Sequence, residues 1–463
     1  MTQSFGIIKL LCKNTFMTTD KQTILRAGLI PSLICALSIL FIPPPLPPKD
    51  AALSPHPEIR VRVVDGTGLK GRVAGATVVI GNADGSVFST GKTDAKGEVT
   101  FQNPPVDAIV TASASYIDYA DGQISRQSLE AYYNVNVTAL TIPLDTGRGP
   151  LAGKVNIDIV TGIPGVAICQ IQYGGFRKEF QIKDGRASAT LDIYREDFQN
   201  DGKLSFLLWG MDAEYNLLGY GTVPDQNFTD GMTIPALVNR TDFVSYNFEL
   251  SHVPETARSY YRSVLFEEKG IYSYSYRKNS SPLLADPIPS SVSVQTIPNA
   301  AESYCHLVEL YTERKADGSG KSMLQMKKIQ PAPTNQSFDF NQVPVPPSNP
   351  KVTGSGTATP VFEWTGTHTA ADEMYIYFIT DDHRSTYGLH FPPSRRTVVF
   401  PKLPDTLASF RPAKLMFDDF QLHVDNYDFI EGWQDYLTKI DQFVSGTFSL
   451  PRKYHRETVQ THP

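Results

Sequence analysis

From Glu58 onward apolar and polar residues alternate in short runs broken by turn formers, a period of two that predicts strands with one face in water. "EIRVRVV" sets Ile59, Val61 and Val63 against Arg60 and Arg62. Further along, "KVNIDIV" and "RASATLDI" alternate in the same way, "LSFLLW" reads as a fully buried strand, and "YNFEL" near Tyr246 closes that stretch. "CHLVELYTERKADGSGKSMLQMKKI" predicts a hairpin turning at Asp317 to Gly320. "TPVFEWTG" puts Phe362 and Trp364 on one core face ahead of "EMYIYFITDD". The best helical stretch is "WQDYLTKIDQFV", Trp433 to Val444, and it is short.

The turn chemistry is most explicit in "TDAKGEVTF", Thr93 to Phe101. Asp94 can close an Asx-turn, Gly97 can take positive φ, and Phe101 then points inward, with Lys96 and Glu98 left to solvent. The strand ending at Asp65, "VAGATV" from Val73 to Val78, Thr93, Asp94, Gly97 and Phe101 together resemble the carboxypeptidase regulatory-like family. That resemblance covers about a fifth of the chain and implies a transthyretin-like sandwich with a carbohydrate-binding-like fold. Glycan or cell-envelope binding is the ligand class it implies. The stretch around Phe362 and Trp364 resembles the early strands of a fibronectin type III or immunoglobulin-like module.

Pro143 to Pro150 reads as a linker, and "QPAPTNQSFDFNQVPVPPSNP" is too rich in proline for a central strand. The expected architecture is all-β, tandem β-sandwich modules: residues 58–146, 150–252, 258–340 and 344–448, preceded by a leader over 1–57 and followed by a disordered tail over 449–463. At roughly 100–200 residues per domain, each module is expected to bury its own core.

Composition narrows the function classes. The 463 residues carry a net charge of −6, and Lys and Arg are interspersed with Asp and Glu, which argues against a nucleic-acid partner. The one basic cluster, Arg452, Lys453, His455 and Arg456, sits in the expected tail. After Lys21 and Arg26, the uncharged "AGLIPSLICALSILFI", Ala27 to Ile42, has the length of a signal-peptide core, and Met17 is an alternative start. A cleaved signal and an uncleaved anchor both remain open, since no A-x-A follows and Ile34 spoils a lipoprotein box at Cys35. Either way the bulk is expected outside the cytoplasm, with membrane contact only through this segment. Cys12 and Cys35 fall in the leader. Cys169 reads as a buried structural thiol, and a disulfide with Cys305 stays open.

Candidate chemistry is sparse. Gly66 to Gly71 spells G-x-G-x-x-G, but a strand follows it where a helix is needed. "GSGKS", Gly318 to Ser322, has Lys315 where a P-loop has its first glycine. His306 and Glu309, with His423 downstream, imitate a zinc carboxypeptidase set, yet positions three apart on a strand face opposite ways. "DFQNDGK" offers Asp197, Gln199, Asp201 and Gly202 for calcium but Leu208 at the twelfth position. No catalytic residue, metal or cofactor is therefore expected. The candidate ligand site is Tyr272, Tyr274 and Tyr276, which on a strand would present three rings on one face beside Arg277 and Lys278. The expected function is an exported, non-catalytic binding or scaffold protein, partnered by a glycan or a cell-surface protein. The alternatives are a structural component of a surface assembly and an accessory or degenerate relative of a secreted hydrolase.

Overall fold

A computed structural model describes residues 56–461 apart from internal stretches, the longest being 280–287, 411–419 and 446–452. The expected targeting signal, Ala27 to Ile42, lies outside the described residues. The fold is all-β, built of several sheets.

Seven strands open the chain: β1 (Glu58–Asp65), β2 (Thr77–Gly81), β3 (Val87–Lys92), β4 (Glu98–Gln102), β5 (Ala108–Asp118), β6 (Ile124–Val135) and β7 (Ala139–Leu144). Alternation places Ile59, Val61 and Val63 inward as expected. The turn into β4 also forms as expected: Asp94 Oδ1 accepts from the amides of Lys96 at 2.7 Å and Glu98 at 3.0 Å, Gly97 has φ +71°, and Phe101 is buried. Glu98 departs from expectation, because its carboxylate pairs with the Arg62 guanidinium at 3.0 Å across the β1–β4 ladder.

The next strands are β8 (Leu151–Thr161), β9 (Ile168–Tyr173), β10 (Phe176–Gln181), β11 (Arg186–Tyr194), β12 (Leu204–Met211), β13 (Leu217–Gln226) and β14 (Met232–Val238). Sheets β11-β8-β14 and β10-β9-β12-β13 close on a core that includes Val155, Ile157, Leu191, Phe206 and Ile234. Cys169 is a free thiol in that core, and burial pushes its pKa up to about 12.

Then follow β15 (Val244–Ser251), β16 (Ser259–Glu268), β17 (Ile271–Tyr274), β18 (Lys278–Asn279), β19 (Ser291–Thr296), β20 (Ser303–Arg314), β21 (Gly320–Ile329) and β22 (Gln336–Asp339). β20 and β21 form the expected hairpin. The proline-rich stretch holds β22, an edge strand whose Phe338 is buried. The last set is β23 (Ser348–Thr353), β24 (Val361–Thr365), β25 (Glu373–Ile379), β26 (Ser385–Phe391), β27 (Thr397–Val399), β28 (Phe420–Tyr427), helix α1 (Trp433–Ser445) and β29 (Lys453–Thr461). The helix matches expectation. The terminal stretch does not, since β29 pairs with both β21 and β28 where a disordered tail was expected.

Residues 155–238 bury a core of their own, whereas the other three cores combine distant segments. Among the described residues one sheet of thirteen strands runs β17-β16-β20-β21-β29-β28-β25-β26-β6-β5-β2-β3, with β18 also on β16. It joins the first segment to the last through the parallel pair β6–β26. Small sheets cover this part of the long sheet on its two faces. Against one face lies β4-β1-β7 with α1, so that Trp433, Tyr436, Leu437 and Ile440 complete the core of β1–β7. Against the other lies β23-β24-β27, whose Phe362 and Trp364 share a core with Val79, Leu129 and Tyr133 of the first segment. A third core mixes Trp209 and Tyr220 with Phe248, Leu310 and Phe338, crossing from the second segment into the third. The physical reason is that a sheet edge left open at β6 or a face left bare on β1–β7 is covered most completely by strands and a helix from far along the chain.

Candidate functional site

The described residues concentrate their buried chemistry where β6 meets β26. On one face of β6, β26, β25 and β28 stand Leu129, Leu389, Ile376 and Leu422, all buried in the shared apolar core. The alternate positions are also buried, but they are polar: Glu130, His390, Glu373, His423 and Asp425 are each at most 4% exposed. Both faces of these four strands are dry.

Register arranges the polar face in rows. Tyr132, His390, Tyr375 and His423 are successive partners across the four strands. Their rings stack, with centroids 4.4 Å apart for Tyr132–His390, 5.3 Å for Tyr375–His390 and 4.3 Å for Tyr375–His423. Glu130 lies on one side of this ring row and the pair Glu373 and Asp425 on the other. The His390 ring spans the gap: Nε2 is 3.0 Å from Glu130 Oε2, and Nδ1 meets Glu373 Oε1 in a short hydrogen bond. Gly388 is the register partner of Glu130, and a Cβ there would come within 1.7 Å of Glu130 Oε2. Only glycine leaves room for that carboxylate above β26.

The rest of the enclosure comes from the helix and the turn before it. Tyr427 Oη donates toward Glu373 Oε2 at 3.3 Å and lies 3.4 Å from Asp425 Oδ2. Asp372 accepts from the amides of Tyr427 and Gly432, both at 2.8 Å, which sets α1 over the cluster. Tyr427 and Tyr436 stack at 5.8 Å. Trp433 Nε1 donates to the Tyr133 carbonyl at 2.9 Å, and Gln434 Nε2 to that of Asn134 at 2.6 Å.

Burial and charge shift the ionisations together. Burial raises the Glu373 pKa, against the pull of the His390 cation. For His390 burial acts to lower the pKa, but Glu373 and Glu130 outweigh it and hold it at about 9. The Tyr132 and Tyr436 hydroxyls are pushed well above their ordinary range by burial and then by nearby carboxylates. Burial also raises Asp372, partly offset by its two amide donors.

The residues singled out in the sequence fall elsewhere. Tyr272 and Tyr274 lie on β17, the outermost strand at one end of the long sheet, which runs beside β9 and β10. Tyr276 lies outside the described residues. His306 and Glu309 are on strand β20, whereas His423 belongs to the ring row on β28. Among the described residues no three His, Cys, Asp or Glu side chains are set to hold a metal ion. In the calcium-like loop Asp197 accepts from the Tyr194 amide at 2.9 Å and Leu208 is fully buried, while Gln199 and Asp201 lie outside the described residues. No described helix is long and apolar enough to cross a membrane.

The joint cluster was missed from sequence because Glu130 and His390 are 260 residues apart and each sits at a position that alternation assigns to water. One signal was there: Tyr132, Tyr375, His390 and His423 stand at alternate positions, rings that suit a buried face.

No family model matches the chain, and no curated protein matches it. Solved structures it is similar to include the TIE protein of Bacillus anthracis, at 11% identity over 62% of this chain and 50% of that one, with a TM-score of 0.15. A streptococcal ancillary pilin is similar at 10% identity over 61% of this chain and 98% of that one, TM-score 0.14. A shaft pilin of Lactobacillus rhamnosus GG is similar at 8% identity over 42% and 99%, TM-score 0.13. The chain thus spans half the length of the first of these. TM-scores this low leave the likeness at a high content of strand.

Proposed function

We propose that this chain is a non-catalytic structural and binding component of the cell exterior, with glycan as its ligand class. The observation that carries the reading is the long sheet itself, which ties residues 77–135 to residues 373–461 and makes one stiff body of segments far apart in sequence. A protein built to hold position is favoured by that construction, because pulling on any strand loads its neighbours through ladder hydrogen bonds. The perturbed ionisable groups support the same view, since they are enclosed under α1 and spent on joining strands. The tyrosine strand β17 contributes the binding half of the proposal. It ends the long sheet, where rings from alternate residues could meet a sugar face.

Glycan-array binding of the purified extracytoplasmic segment, compared with a variant carrying Tyr272→Ala, Tyr274→Ala and Tyr276→Ala, tests the ligand class. Array signal lost in the variant supports it. Equal binding by both proteins removes the tyrosines, and stoichiometric capture of envelope proteins without glycan binding would favour a purely structural role. One bound zinc per chain that disappears with His306→Ala would replace this reading with a hydrolase. Export is tested by a C-terminal tag, which is expected to be outside the cytoplasm on fractionation.

A further inference from the structure

Both ring nitrogens of His390 face a carboxylate oxygen within hydrogen-bond reach, Glu130 on one side and Glu373 on the other. A neutral imidazole has a single N–H, so it can donate to one of these oxygens and must present a lone pair to the other. Two acceptors cannot face each other in a dry site. The bridge therefore requires an added proton, held as an imidazolium that donates both ways or as a carboxylic acid that donates into the ring. We propose that the β6–β26 joint is closed by this one bound proton and loosens when the proton leaves, so that the link between the first and last segments is a pH-sensitive latch.

The surroundings set the direction. From β6 the ring also meets Tyr132, and from β25 it meets Tyr375. β28 contributes His423, Asp425 and Tyr427 to the same face, and α1 contributes Tyr436. Asp372 anchors the turn below, and Arg456 of β29 is the register partner of Asp425. Losing the bridging proton sets a ring lone pair against a carboxylate oxygen in a dry site, at the parallel pairing of β6 with β26. For His390 the folded value near 9 lies above the ordinary 6.5, so its contribution is complete below about 6.5 and disappears as pH rises through about 9. Glu373, raised from 4.5, acts in the same direction.

Two measurements on the whole exported chain test the latch. Histidine-selective NMR, with the signal assigned by His390→Gln, is expected to show the His390 ring titrating near 9. Hydrogen exchange, corrected for the intrinsic rate, is expected to show protection of residues 127–132 and 385–390 falling at least about tenfold between pH 6.5 and pH 10, with β8 and β11 unchanged as internal controls. A ring that titrates at or below 6.5, or protection that falls equally in all four strands, overturns the proposal. Should His390→Gln not fold, Glu130→Gln supplies an amide N–H that a neutral imidazole can accept, so the bridge no longer needs the added proton and the fall in protection between pH 6.5 and pH 10 must shrink or disappear. A fall in that variant as large as in the unchanged chain also overturns it.

Discussion

Two glycines carry more of the fold than their size suggests. Gly97 holds φ +71°, and a Cβ there would approach the Val63 carbonyl to 2.6 Å. Gly97→Val is expected to cost about 1–3 kcal/mol through backbone strain, read as a lower denaturant midpoint. Gly388 is constrained by a side chain, so its substitution has a partner that can relieve it. Gly388→Ala is expected to destabilise by about 2 kcal/mol or more through overpacking against Glu130. In a Glu130→Ala background the added cost of Gly388→Ala should shrink below about 1 kcal/mol, because the atom it strikes is gone. Additive costs in that double-mutant cycle would mean that Gly388 matters for some other reason. The Asp94 turn offers a milder effect. Its amide bonds from Glu98 and Lys96 hold its carboxyl below the usual range, so its contribution is present above about pH 4 and is lost on further acidification.

At the scale of elements, what sequence made legible was each strand taken singly. Alternation found β1, β8, β11 and β15, turn residues found the Asp94 corner, and a helical period found α1. Local chemistry determines those features, and local chemistry is what one sequence displays. Partner choice is different. Nothing in "SLEAYYNV" says that Glu130 will meet His390, because pairing β6 with β26 depends on which distant strand best fits an open edge. The tail was misread for the same reason: Lys453–Thr461 is polar by itself and is a strand through the neighbours it finds, β21 and β28. Helix α1 gives the sharpest test of these long-range contacts. Its Trp433 and Tyr436 are buried in the core of β1–β7, and the Trp433 indole donates to the Tyr133 carbonyl. Trp433→Ala is expected to cost about 3–5 kcal/mol and to lower the exchange protection of β7, some 290 residues upstream. Protection lost in α1 alone would show that the helix is an appendage.

At the scale of the whole molecule, the cores decide how the chain unfolds. The core of residues 155–238 is drawn from one stretch of sequence, whereas the two cores flanking the long sheet each combine the first segment with the last. Leu389 is fully buried on β26, in the core that also holds Val79, Ile109 and Leu129. Leu389→Ala should cost about 2–5 kcal/mol, as expected for a large-to-small change in a packed interior. The cost should be shared: strands β2, β5 and β6 should lose protection in parallel with β25, β26 and β28, because an opened cavity is lined by both. Ile157→Ala, in the local core, should instead weaken β8, β11 and β14 first. Segment-resolved hydrogen exchange distinguishes the two patterns. If Leu389→Ala loosened only residues 348–445 and left β2 to β6 as protected as before, the first segment would be an independent sandwich and the long sheet would not act as a single unit.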